Sequence, residues 1–260
     1  MRQVWYHAGC WDGFGAAWAC HRFLQVDRFV PVNYGEALPP HEPGDAIWVV
    51  DFSFPPDTML ALSKAVTLRV IDHHASAEGA VRLVDGIFDA TKSGAVLTWE
   101  AVSQEPIPTL LLYVQDRDLW AWEEPYSRDI QWLIRSLRPD FKEWEGAAAR
   151  FESSSPEQLR DAALNISRFV DCQIQEAVKR AWKSTLAGRE VFMLNATMLT
   201  SDVCDALIQD GARIAAYFTV GADGRKRWGV RSKNGEALEI AKAFGGGGHP
   251  NAAGFIEPTP

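Results

Sequence analysis

Three short apolar runs that end in polar residues mark the first third of the chain: Val4 to His7, Ala46 to Asp51 and Thr67 to Asp72. Unbroken apolar runs of this length read as strands buried on both faces. The stretches between them are long enough for crossovers, so the pattern predicts a parallel sheet covered by helices. Gly15 to Cys20 and its continuation read as the first crossover helix. At Ser155, an N-cap residue followed by Pro156 in the first helical position, the period becomes that of a long helix. Its predicted apolar stripe is Leu159, Ala163, Ile166, Val170, Ile174, Ala177, Val178 and Ala181, and its end lies near Gly188. The pattern then restarts with a strand over Val191 to Leu194 and a helix around Val203 to Leu207. Paired strands follow at Ile214 to Val220 and Trp228 to Arg231, joined by a turn at Gly221 to Gly224. A last helix, Ala237 to Ala243, runs into four consecutive glycines, Gly245 to Gly248. The expected architecture is α/β. A parallel-sheet domain with flanking helices covers residues 1–188 and ends in the long helix, and a smaller α/β domain covers 189–260.

At 260 residues with 47% in the hydrophobic set, the chain can fill a substantial core. No apolar run reaches the roughly 18 residues that span a bilayer, so no membrane partner is expected. The start, Met1-Arg2-Gln3-Val4, enters a strand-like pattern without the basic and apolar segments of a secretion signal. Four scattered cysteines form no C-x-x-C pair and suit a reducing compartment, which makes the cytoplasm the expected location. The formal net charge of −8 argues against a long duplex DNA as partner. It is compatible with a phosphate substrate, because carboxylates that hold cations count as negative charge which the metal reverses locally. Oligomeric state is not readable at this level, a dimer being one arrangement open to the chain.

A parallel α/β sheet gathers its chemistry beyond the carboxyl ends of its strands, and His7, Asp51 and Asp72 fall at those ends. One histidine or aspartate there is ordinarily a cap or a solvated loop residue. The conjunction is what matters. His7, Asp12, Asp51, Asp72-His73-His74 and one of Asp116 or Asp118 form an O/N donor set from separate strand ends, as a pair of divalent cations needs. The tetraglycine follows an amphipathic helix and precedes the apolar Ala252-Ala253, so an ordered anion cradle of backbone N–H groups competes with a flexible linker.

These motifs resemble the DHH phosphoesterase superfamily. Asp72-His73-His74 after Leu68-Arg69-Val70-Ile71 is similar to its signature, and Tyr6-His7-Ala8-Gly9-Cys10-Trp11-Asp12-Gly13 to its first motif. Val49-Val50-Asp51-Phe52-Ser53 resembles the second motif, and Val114-Gln115-Asp116-Arg117-Asp118 the fourth. Phe244 to Phe255 resembles the glycine-rich end of the associated DHHA1 domain. The resemblance runs in the family's order from residue 6 to residue 255.

The resemblance implies a metal-dependent phosphodiesterase or exonuclease-like hydrolase. Members include RecJ-type exonucleases, oligoribonucleases, cyclic-dinucleotide phosphodiesterases and enzymes that cleave polyphosphate or pyrophosphate. It implies two Mn²⁺ ions, with Mg²⁺ or Co²⁺ as alternatives, held by His7, Asp12, Asp51, His73 and Asp116, with Asp51 as the bridge. His74 is implied as the catalytic histidine at the reacting phosphate and Asp72 as the carboxylate that orients the imidazoles. Substrate contacts are implied for Arg231, Gly246, Gly247, Gly248 and His249. The implied substrate is a short oligonucleotide, a dinucleotide or another phosphate ester, with its non-reacting part held by the second domain. The alternatives are a phosphoanhydride hydrolase and a non-catalytic nucleotide-binding module. One departure stands out: Cys10 occupies a position where many members have aspartate. It is either a small buried residue or a thiolate ligand that favours Mn²⁺, Co²⁺ or Zn²⁺ over Mg²⁺.

Overall fold

The first apolar run forms β1 (Arg2–His7), and the chain returns through α1 (Trp11–Phe23) to β2 (Arg28–Val32). The structure is a computed structural model and describes residues 1–221 and 223–257. After β3 (Ala46–Val50) come α2 (Pro56–Ala65), β4 (Thr67–Asp72), α3 (Glu78–Val81) and β5 (Gly86–Phe88). These strands make one parallel sheet in the order β2-β1-β3-β4-β5. The three strands expected from sequence lie side by side at its centre. Both faces there are covered, as uninterrupted apolar runs require.

Five helices follow: α4 (Gly94–Val102), α5 (Thr109–Asp118), α6 (Ser127–Ser136), α7 (Phe141–Ser153) and α8 (Pro156–Val178). Trp18, Trp99, Trp144 and Leu111 anchor the core between α1 and these helices. Trp5, Ile47, Val49, Met59 and Val70 fill the other side of the sheet with α2 and α3. Ser155 caps α8 reciprocally: its Oγ accepts from the Gln158 amide at 3.4 Å, and Gln158 Oε1 accepts from the Ser155 amide at 2.8 Å.

The second sheet is built from β6 (Trp182–Leu186), β7 (Arg189–Asn195), β8 (Ile214–Val220), β9 (Lys226–Ser232), β10 (Gly247–His249) and β11 (Ala252–Ile256). Its order is β10-β11-β9-β8-β7-β6, with β7 and β8 parallel and the other pairs antiparallel. The helices α9 (Thr200–Gln209) and α10 (Glu236–Ala243) complete it. Val230, Ala237, Ile240 and Phe255 lie in its core. The chain divides into two compact units, Met1–Ser167 and Arg168–Pro260. Among the described residues no helix is long and apolar enough to cross a membrane.

Two expectations are corrected. The long helix ends at Val178, ten residues before Gly188, because residues 182–186 pair with β7 instead. Ala187 and Gly188 both have positive φ, 50° and 74°, which matches the two-residue turn that right-twisted hairpins prefer. Ile166 also leaves the predicted stripe and is 37% exposed. The buried face follows Leu159, Ala163 and Ser167, with Ser167 Oγ donating to Asp129 at 2.5 Å. The expected turn at Gly221 to Gly224 includes Ala222, which lies outside the described residues; its flanks close through Gly221 N to Arg225 O at 2.9 Å.

Candidate metal centre

The carboxyl ends of β1, β3 and β4 bring His7, Asp51 and Asp72-His73-His74 to one edge of the first sheet. Asp12 joins them from the first turn of α1. Gly13 allows this approach, since a Cβ there would collide with the His7 carbonyl oxygen. Asp12 is held by the start of α4, whose Gly94 and Ala95 amides donate to its two oxygens at 2.6 and 2.9 Å. Carboxylates are favoured at a helix N-terminus by the unpaired amides and the helix dipole. Asp51 leaves β3 in the left-handed region, φ 53°, while its amide still donates to Ile71 O at 2.9 Å. This strained geometry costs on the order of 1 kcal/mol, and it directs the carboxylate to the strand ends. Gly94 lies so close to Asp51 that a Cβ would stand 2.6 Å from Asp51 Oδ1.

His73 Nε2 lies 3.3 Å from Asp51 Oδ1, 3.4 Å from Asp118 Oδ2 and 3.7 Å from Asp12 Oδ2. His7 Nδ1 lies 3.4 Å from Asp51 Oδ2. Neighbouring ligands of an octahedral ion at about 2.1 Å are about 3 Å apart, so these spacings suit donor atoms around shared cations. Three sets that include Asp51 each place one donor atom per residue within 4.8 Å of the others: His7, Cys10 and Asp51; Asp12, Asp51 and His73; and Asp51, Asp72 and His74. Asp51 is common to all three. It is 1% exposed, and neither carboxylate oxygen accepts a hydrogen bond among the described residues. A buried carboxylate without hydrogen bonds is costly, and divalent cations are the partners this donor set fits.

The electrostatics point the same way. Burial, then Asp51 and Asp118, push the Asp12 carboxyl well above its ordinary value. Burial opposes charge on His73, but the Asp51, Asp118 and Asp12 carboxylates overcome it and push its pKa up to about 10. Burial raises Asp51 too, yet contacts with the His7 and His73 rings hold it well below the usual carboxylate range. The Cys10 thiol is pushed up by burial and then by the Asp51, Asp118 and Asp12 carboxylates. The cluster therefore calls for positive charge.

Known structures share this fold. An exopolyphosphatase-related protein from Bacteroides fragilis superposes with a TM-score of 0.57 at 16% identity, covering 98% of this chain and 86% of that one. A pGpG-specific phosphodiesterase from Vibrio cholerae gives 0.50 at 15% identity, covering 98% and 92%. The chain shares the fold of these two proteins. An uncharacterized Helicobacter pylori protein gives 0.51 at 13% identity, covering 98% and 92%. In sequence, an uncharacterized protein of Acanthamoeba polyphaga mimivirus is 25% identical over 97% of the chain, which spans 66% of that relative's length. No protein-family profile matches.

Of the two candidate carboxylates on α5, the one beside His73 is Asp118, 3.4 Å away, and not the expected Asp116. Two residues on a helix stand about 200° apart, so only one can face the sheet edge. Asp116 instead accepts from the Glu123 amide through Oδ1 at 2.7 Å, closing the loop after α5. Asp72 carries no spare oxygen. Its Oδ1 accepts from the His73 and His74 amides at 2.8 and 3.1 Å and lies 2.7 Å from His74 Nδ1, and its Oδ2 accepts from Ser53 Oγ at 2.6 Å. It orients the His74 imidazole and ties down the backbone at His73 and His74. Sequence reading missed Gly94, Ala95 and Ser53; only the N-cap residue Ser93, before α4, hinted that a helix start was near.

In the second unit, His249 on β10 pairs with Ala252 on β11, which pairs with Arg231 on β9. Directly paired residues share a sheet face, so His249 and Arg231 flank Ala252 in one row. Arg231 reaches the first turn of α9, donating to Ser201 Oγ at 2.8 Å. The glycines form no open loop. Gly247 and Gly248 belong to the β10-β11 hairpin, Gly246 runs so close to Gly254 O that no Cβ fits, and Gly248 has φ 136°. At Gly246 and Gly248 the absent side chain serves close backbone packing.

Proposed function

We propose that the chain is a divalent-metal-dependent phosphoesterase that hydrolyses phosphodiester bonds of short oligonucleotides or dinucleotides. The observation that carries this reading is Asp51: a buried carboxylate, in strained backbone, without hydrogen bonds among the described residues, shared by three donor sets. His7, Cys10, Asp12, Asp51, His73 and Asp118 would hold the cations, with two Mn²⁺ favoured by the mixture of carboxylate and imidazole. When bound, such ions activate water and neutralise charge on phosphate oxygens.

The chain's own residues do the rest. Gly94 and Ala95 keep Asp12 aimed inward, and Asp72 fixes the His74 ring and the backbone amides of His73 and His74. With Nδ1 held by Asp72, His74 would meet the phosphate or the departing oxygen through Nε2 and supply its proton. Arg231, His249 and the backbone around Gly246, Gly247 and Gly248 would bind phosphate in the second unit. Four free cysteines support a reducing, cytoplasmic setting.

The test is a panel with Mn²⁺: a nucleotide diester, tetrapolyphosphate and pyrophosphate, each beside an Asp51→Ala/His73→Ala control. Nucleoside monophosphate release that disappears in the control is the expected result. Orthophosphate release from the anhydrides alone overturns it in favour of an anhydride hydrolase, and tight binding without turnover in favour of a binding module.

A further inference from the structure

An apolar pocket of about 330 Å³ adjoins the metal centre within the first unit, and nothing above uses it. Tyr6, Trp11, Phe14, Leu137, Pro139 and Trp144 line it, together with Cys10. Phe14 and Trp144 are buried and meet edge to face with centroids 5.1 Å apart; Tyr6 meets Phe14 in the same way at 5.9 Å. Cys10 links pocket and centre, because its sulfur lies within 4.8 Å of donor atoms on both His7 and Asp51.

We propose that this pocket takes the nucleobase of the nucleotide whose phosphate is attacked. The inference rests on the phosphoesterase reading and names the part of the substrate beside the reacting group. A hydrated ion or a bare phosphate chain gains nothing from aromatic walls, whereas a planar base can stack on them or meet them edge to face. The volume is at the lower end of the roughly 300–1,000 Å³ typical of small-molecule pockets, which suits one base and its sugar. Proximity through Cys10 requires that the occupant carry its phosphate close by. A nucleotide meets both conditions; an inorganic polyphosphate meets only the second.

The test compares two ligands that differ only in the base. Calorimetry on the Mn²⁺-loaded full chain measures binding of adenosine 5′-monophosphate and of ribose 5-phosphate. Base stacking predicts that the nucleotide binds about 5- to 150-fold tighter. Leu137→Arg, which places a charge in the pocket, should collapse that ratio towards one while Mn²⁺ stoichiometry stays unchanged. Pro139→Trp, at an exposed lining position, fills the same space and covers the case in which Leu137→Arg does not fold. Equal binding of the two ligands by the unaltered chain, or a ratio that survives in a folded variant, overturns the proposal. Failure of the phosphoesterase reading looks different: no ester is turned over, whatever the ratio.

Discussion

Gly94→Ala adds one methyl group at the tightest point of the site. Gly94 opens α4, and a Cβ there would stand 2.6 Å from both Cβ and Oδ1 of Asp51. Non-bonded carbon contacts settle near 3.5–4.0 Å, so the methyl needs roughly 1 Å of extra room. Neither side yields it easily. The first two amides of α4 are tied to Asp12, and Asp51 is tied through its own amide to β4. The expected cost is about 1–3 kcal/mol, the usual range for overpacking. In an open helix site the same change stabilises by about 0.4–1 kcal/mol through lost freedom in the unfolded chain. Gly146 in α7 supplies that comparison, because nothing lies within 4 Å of its would-be Cβ. In a chain of this size 1 kcal/mol moves Tm by roughly 2–4 °C, so calorimetric scans should show Gly146→Ala rising and Gly94→Ala falling. Displacing Asp51 should also weaken Mn²⁺ binding roughly 10- to 100-fold, as loss of supporting contacts around metal ligands does. A Gly94→Ala protein with raised Tm and unaltered Mn²⁺ affinity refutes the reasoning.

Three further outcomes follow from the same geometry. Loading with Co²⁺ should produce a thiolate-to-metal absorption band in the near ultraviolet that is absent in Cys10→Ser, and Cys10→Asp should shift preference towards Mg²⁺; a wild-type spectrum without the band removes Cys10 from the ligand set. Asp118→Ala should lower Mn²⁺ affinity at least tenfold, while Asp116→Asn should leave it within a factor of about two and instead cost about 1–2 kcal/mol through the weakened bond to the Glu123 amide; the reverse ranking in calorimetric titration would return the ligand role to Asp116. Mn²⁺ at about 100 times its Kd should stabilise the protein by about 2.7 kcal/mol, seen as a rise in Tm that chelation reverses and Asp51→Ala abolishes. An equal rise in Asp51→Ala would place the ions elsewhere.

By itself the sequence determined the central strands and the residues at their ends. Apolar run length, the polar residue that closes each run and the spacing between runs are local properties, so β1, β3 and β4 and the positions of His7, Asp51, Asp72, His73 and His74 could be read directly. The N-cap at Ser155 was legible for the same reason. Other features depend on partners far away in the chain, and only the tertiary structure decided them. Asp118 replaced Asp116 because the rotation of α5 about its axis is set by packing on α1, α4, α6 and α7, which no local pattern records. Gly94 and Ala95, more than 80 residues from Asp12, became its donors only when α4 packed beside α1. The long helix stopped at Val178 because β7 offered residues 182–186 a hydrogen-bonded edge, and Gly247 and Gly248 joined a strand because they pair with Gly254 and Ala253. Local chemistry names the candidates; long-range packing sets which of their atoms meet.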